Sequence, residues 1–193
     1  MDSYTPVTFD RDMYLELMLY CNAADLLRLR RTSRYWKATV DSFMKRAYNI
    51  CSQLSHFFQS PLLFRIMQSN TGAVISGSFA FQFFTRSNHP TYELDVYVRY
   101  ELRKFAGDYL ISDGYRYYPV FDPDNLPHRR QPRSYQEAIE SLHNAQHVAA
   151  SYCPGVLGVL KFKKLVNGQL RKVQLLVVEI CPIRTILSFH SSM

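Results

Sequence analysis

Hydrophobic positions recur at helical spacing through the first third of the chain. Leu15, Met18 and Leu19 fall on one face of a helix starting near Met13, which Asp10 or Asp12 can cap. Asn22 and Asp25 take the cap and third positions of a second helical stretch, close to a capping box. Leu29, Ser33, Trp36 and Val40 continue at the same spacing, with Arg28, Arg30, Arg31 and Arg34 between them. The pattern predicts two or three short helices, a module too small to be very stable alone. Phe43, Ala47, Ile50 and Leu54 extend the periodicity until Pro61 breaks it, and Leu62, Leu63, Ile66 and Met67 suit a further helix. No flexible linker interrupts this region, so the module and the remainder of the chain share a helical joint.

The period changes at Ala73. A short apolar run (Ala73, Val74, Ile75) ends in Gly77-Ser78, and an aromatic-rich segment, Phe79 to Phe84, comes next. After a polar loop with Pro90 comes an alternating strand carrying Glu93 and Asp95. Leu102, Phe105, Tyr109 and Leu110 mark a helix that faces a sheet and ends near Gly114. Residues 119–133 hold four prolines and no periodicity, which is loop. Ser134 and Glu137 form a capping box for a helix through about Ala149, stopped by Cys153-Pro154-Gly155. Two strand patterns then flank Asn167-Gly168, the strongest hairpin signal in the chain. The second carries Val173, Leu175 and Val177 in alternation with Gln174, Leu176 and Val178 and reads as buried on both faces; Pro182 can open a last helix.

With 47% hydrophobic and 15% aromatic residues among 193, there is material for one domain with an appendage or for two small ones. No run approaches the roughly 18 apolar residues of a membrane span, and the polar, acidic N-terminus lacks the features of a secretory leader. Cys21, Cys51, Cys153 and Cys181 are scattered without a C-x-x-C pair, so reduced thiols and an intracellular protein, cytoplasmic or nuclear, are expected. The formal net charge of +7 permits an acidic partner. That charge is spread over several segments, and nucleic acid and membrane are not the expected partners. Lys161 to Lys164 and His128-Arg129-Arg130 can touch a phosphate backbone, and Tyr115, Tyr117 and Tyr118 can stack on bases, but tyrosines near a sheet are more often core or rim. His143 and His147 lie four apart on a predicted helix, yet Asn144 stands where a zinc protease needs Glu, so they read as a solvated face.

The candidate chemistry sits between Val74 and Val98. A glycine lets the backbone approach a ligand closely, and the amides opening a helix seat phosphate. Glu93 and Asp95, two apart on a strand, share one face, and such a pair can hold Mg²⁺ against a nucleotide's phosphates. Strand, Gly-Ser, helix, then acid-x-acid on a strand resembles the nucleotidyltransferase superfamily, the polymerase-beta-like fold. The resemblance implies Gly77 and Ser78 at a nucleoside triphosphate, with Glu93 and Asp95 as catalytic metal ligands for Mg²⁺. It also implies a third acid on a neighbouring strand. The place it commonly takes holds Gln174, and Glu179 is the remaining candidate.

Residues 10–45 resemble an F-box through Asp25, Leu26, Leu27, Leu29, Arg30, Ser33, Arg34 and Trp36, although Asp12-Met13 stands where a leucine-proline pair usually opens that motif. The resemblance implies docking on a Skp-type adaptor of a cullin-RING ubiquitin ligase, with Leu26, Leu29 and Trp36 as partner-binding residues. An F-box-like head on such a body resembles a group of proteins of mushroom-forming fungi, in which Gly77-Ser78, Glu93-Leu94-Asp95, Val173-Gln174-Leu175 and Phe189-His190-Ser191 have counterparts in this order. Related chains continue past the last segment, which implies a shortened C-terminus here. The expected fold is α+β: an F-box-like helical module over 1–45, then a nucleotidyltransferase-like mixed sheet flanked by helices over 46–193. The expected function is a substrate-recruiting adaptor with an unknown protein target and a degenerate nucleotidyltransferase-like body. The alternative is an active Mg²⁺-dependent enzyme moving a nucleoside monophosphate onto a protein, RNA or small molecule.

Overall fold

The computed structural model describes residues 11–87, 92–119, 134–142 and 155–189, with side chains from Met13 onward. The expectations for His128-Arg129-Arg130, His143, His147, Cys153 and His190-Ser191 lie outside the described residues. The chain divides into two compact units: Met1–Asn49 with Phe84–Ser87, and Ile50–Phe83 with Asn88–Met193. No described helix is long and apolar enough to cross a membrane.

The first unit holds α1 (Arg11–Tyr20), α2 (Ala23–Arg30) and α3 (Arg34–Ala47). Asn22 caps α2 by accepting the Asp25 amide at 2.9 Å, and Ser33 caps α3 by accepting the Trp36 amide at 3.1 Å. A Ser or Asn cap satisfies an amide that has no partner within its helix, so the periodic run from Leu29 to Val40 is split into two helices at Thr32. Met18, Leu26, Val40 and Phe43 form the core, with Leu15, Leu29, Trp36 and Met44 packed against it. Arg30 and Asp41 join α2 to α3 at 2.6 Å.

Arg86 belongs to this unit although it lies far along the chain. Its backbone turns at φ +55°, and its guanidinium donates to the carbonyls of Met18, at 2.9 Å, and Cys21. The same group lies over the rings of Phe43 and Tyr48, 5.5 and 5.8 Å from their centroids. No basic residue stands in the last turn of α1, so Arg86 supplies the cation and donors that the end of this helix needs.

The second unit is built on α4 (Ile50–Leu54), α5 (Pro61–Thr71), β1 (Val74–Ser76), α6 (Gly77–Thr85), β2 (Glu93–Arg99), α7 (Arg103–Ser112), β3 (Arg116–Tyr117), α8 (Tyr135–Ser141), β4 (Val156–Val166), β5 (Gln169–Val178) and α9 (Pro182–Leu187). α6 runs on into the first unit at Phe84. The five strands make one sheet in the order β1-β2-β5-β4-β3. β2 and β5 are parallel and the other neighbours antiparallel. This is an α+β fold. Asn167 and Gly168, at φ +50° and +75°, close the β4–β5 hairpin with two left-handed residues, as a tight hairpin turn requires. Pro61 opens α5 at its first position, where its missing amide hydrogen costs nothing.

Alternation sorts the sheet into two faces. Leu94, Val96, Val98, Leu160, Phe162, Val173, Leu175 and Val177 point to one side and bury against Phe64, Met67, Ala106, Leu110, Ala138 and Ile139 of the helices. Phe58 stacks on Phe64 with centroids 4.1 Å apart, and the Tyr115 hydroxyl donates to the Phe57 carbonyl at 2.8 Å. Ala106 and Leu110 carry the buried stripe of α7, while Phe105, expected to face the sheet, is exposed. On the other side Tyr97, Val156 and Val178 form a smaller cluster with Ile186 and Phe189, so α9 covers one end of that face. Strand β3 had no expectation from sequence: two residues are too few to show a period, and pairing with Lys163 and Phe162 makes them a strand.

Candidate functional site

In the helical unit the three partner-binding residues expected from sequence have structural places. Leu26 is fully buried, and Leu29 and Trp36 are half-buried against the same core. Trp36 also meets Tyr14 and Tyr35 edge-on, at centroid distances of 5.0 and 5.8 Å. Leu26 lies inside the unit's core, whereas Leu29 and Trp36 keep part of their surface in solvent. The exposed apolar side chains are others: Met13, Leu17 and Tyr20 on α1, with Leu19, Leu27 and Tyr35 nearby in sequence. Met13, Leu17 and Tyr20 succeed one another at i, i+4 and i+7 and therefore share a face of α1, with Tyr20 91% exposed.

An F-box domain model matches residues 9–48.

The F-box accounts for the helical unit up to Tyr48 and leaves the rest of the chain unassigned. No curated protein and no solved structure matches the chain. The larger unit therefore has to be read from its own geometry.

Its second sheet face, where α9 does not cover it, presents polar residues of all five strands. Strand register lines them up in rows. Ser76, Asp95, Gln174 and Lys161 form one row across β1, β2, β5 and β4. One step along the strands, Glu93, Lys172, Lys163 and Arg116 form the next row across β2, β5, β4 and β3. Glu93 and Asp95 are therefore brought together on one face. Gly77, at φ +73°, turns the chain out of β1 into α6, and a β-carbon placed on it would overlap the Asp95 carboxylate. The Gly77-Ser78 turn thus sits directly against Asp95, and both of its residues are exposed.

The electrostatics of Asp95 arise from this packing. Burial pushes its pKa up from 3.8 to about 6, the Glu93 charge adds to the shift, and the Lys161 ammonium partly offsets it. A carboxyl that resists ionisation beside a second acid is a common property of metal and catalytic sites. Gln174 lies directly beside Asp95 and contributes a neutral amide, with Lys161 as the next residue in the row. Glu179 is not brought to the pair. β5 ends at Val178, and Glu179 is exposed, its amide donating to the Gly155 carbonyl at 3.1 Å. Five residues separate it from Gln174, roughly 16 Å along a strand. Among the described residues no group of three or more His, Cys, Asp or Glu side chains could hold a metal ion. Two carboxylates and ligand phosphates can hold one Mg²⁺; a second ion would lack the third acid.

Sequence reasoning missed the cations of this face as a group. Lys161, Lys163, Lys172 and Arg116 come from three strands, and only the register gathers them.

Proposed function

We propose that this chain is a substrate-recruiting adaptor of a cullin-RING ubiquitin ligase. Its F-box would dock on a Skp-type adaptor, and the larger unit would present a target-binding surface. The F-box match over residues 9–48 carries this reading, and the exposed stripe of Met13, Leu17 and Tyr20 is apolar surface of the kind a docking interface needs. The test is calorimetric binding of the full chain to a Skp-type adaptor. Leu17→Asp with Tyr20→Ala, both at exposed positions, should lower affinity at least tenfold while the melting curve stays unchanged. Undiminished binding would remove the stripe from the interface, and no binding by the wild-type chain would overturn the adaptor reading.

The larger unit reads as a nucleotidyltransferase-like fold with a degenerate site. The order Gly-Ser turn, acid-x-acid strand and parallel neighbour β5 supports the resemblance, and Gln174 beside Asp95 supports the loss of the third acid. The rival reading is a Mg²⁺-dependent nucleotidyltransferase, favoured by the pairing of Glu93 with Asp95 beside Gly77-Ser78. Titration with each nucleoside triphosphate, with and without Mg²⁺, separates the two. Metal-dependent binding and nucleotide transfer, both lost in Asp95→Ala, would establish the enzyme; a well-folded chain that transfers nothing would leave the adaptor reading alone.

A further inference from the structure

The second sheet face carries an arrangement that works against folding. Lys172 on β5 pairs directly with Lys163 on β4, and Lys163 pairs with Arg116 on β3. Like charges directly opposite one another across strands are destabilising. Lys161, two residues from Lys163, stands on the same face. Among the described residues none of these four cations forms an ion pair. Lys163 and Arg116 are exposed, and Lys161 and Lys172 are half-buried. A spread of surface lysines would place each near an acid or in open solvent. Here three strands align four cations; Glu93 stands beside Lys172 in register and Asp95 is within electrostatic reach of Lys161, while among the described residues Lys163 and Arg116 have no acid in register beside them.

An aromatic ring lies among them. The Tyr118 amide donates to the Lys161 carbonyl at 3.0 Å, which extends the β3 edge, and the Lys163 ammonium sits 5.1 Å from the Tyr118 ring centroid. Burial first and the Glu93 charge second raise the Tyr118 hydroxyl's pKa, which places the ring within electrostatic reach of Glu93. Tyr115 and Tyr117 belong to the core on the opposite face, and Lys164 is bound to Asp113 at 2.8 Å. The sheet has thus sorted the basic and aromatic tract by alternation, leaving Lys161, Lys163 and Tyr118 on the face that α9 leaves open.

We propose that this face binds single-stranded nucleic acid, with phosphates along Lys172, Lys163 and Arg116, Lys161 beside them, and a base stacked on Tyr118. Cations at the strand spacing of about 4.8 Å suit a polymer whose charges repeat evenly. A planar ring beside such a row is what single-strand binding surfaces use, because every base offers a face to stack on. An acidic peptide would satisfy the charges but brings no planar group to stack on the ring. The proposal does not depend on the adaptor reading, since none of its residues lies in the F-box.

The experiment is fluorescence anisotropy of the full chain with a labelled 12-nucleotide oligouridylate between 50 and 300 mM salt. Three to four phosphate contacts give a log–log salt slope of roughly −2 to −3. Lys163→Ala, Lys172→Ala and Arg116→Ala together should cut affinity at least tenfold and flatten that slope. Tyr118→Ala should weaken binding with the slope unchanged, and Lys45→Ala, on α3, should do neither. Melting curves guard against unfolding: removing opposed cations should leave the melting temperature equal or higher. Absence of binding at 50 mM salt overturns the proposal, as does affinity untouched by the triple variant. Displacement by polyglutamate as effective as by unlabelled oligouridylate also overturns it, in favour of an acidic protein segment.

Discussion

Replacing Asp95 by Asn should make this protein more stable at neutral pH. The carboxyl titrates near 6 in the folded chain against 3.8 for an unperturbed group. Between those values the folded state holds a proton that the unfolded state has lost, so stability falls as pH rises through this window and stays low above it. A shift of about two pKa units corresponds to about 3 kcal/mol, and Asp95 keeps enough solvent contact that screening reduces this to about 1–2 kcal/mol. Asparagine keeps the shape and removes the charge, which at pH 7.5 raises the melting temperature of a unit this size by roughly 3–6 °C. Glu93, Lys161 and Lys172 face the same spot and are present in both proteins, so the two differ only by the Asp95 charge. The assay is thermal melting of both proteins at pH 4 and pH 7.5. The gain should be present at 7.5 and vanish at 4. A variant no more stable than wild type at pH 7.5, or one with the same gain at both pH values, would refute the reasoning.

Two further substitutions test the frame around the site. Gly77→Ala puts a β-carbon into the Asp95 carboxylate at a positive φ; a loss of about 1–3 kcal/mol in urea unfolding is expected, and a loss under 0.5 kcal/mol would mean that the turn yields easily. Lys164 and Asp113 are only 11% and 7% exposed, so Lys164→Ala strands a buried carboxylate and should cost about 3–5 kcal/mol by the same measurement.

Local chemistry made most of the elements legible. The caps at Asn22 and Ser134, the proline opening α5 and the Asn167-Gly168 turn each act within four residues, and the sequence displays them directly. The Glu93–Asp95 pair was legible for the same reason, since a strand's period alone puts both on one side. What depends on register was not. The resemblance put Gln174 at the third-acid place and left Glu179 open, which only the register decides, and nothing in sequence says that Arg116 is aligned with Lys163 and Lys172. Leu26, Leu29 and Trp36, chosen for their place in the motif, all pack in or against the core of the helical unit. Surface positions such as Leu17 and Tyr20 obey no packing rule that a pattern search could find.

The anchoring of α1 by Arg86 has a consequence during synthesis. The helical unit is discontinuous in the chain, so its first three helices are synthesised before the residue that closes them. Translation must reach Arg86 first, which at usual elongation rates takes on the order of a few seconds after Asn49. Until then the Met18 and Cys21 carbonyls lack that donor, and the exposed apolar stripe of α1 rides on an unfinished helix. If the unit docks on an adaptor as proposed, a nascent chain gains its finished docking helix only once β1 and α6 have been translated, and recruitment would be tied to synthesis of the larger unit's first strand.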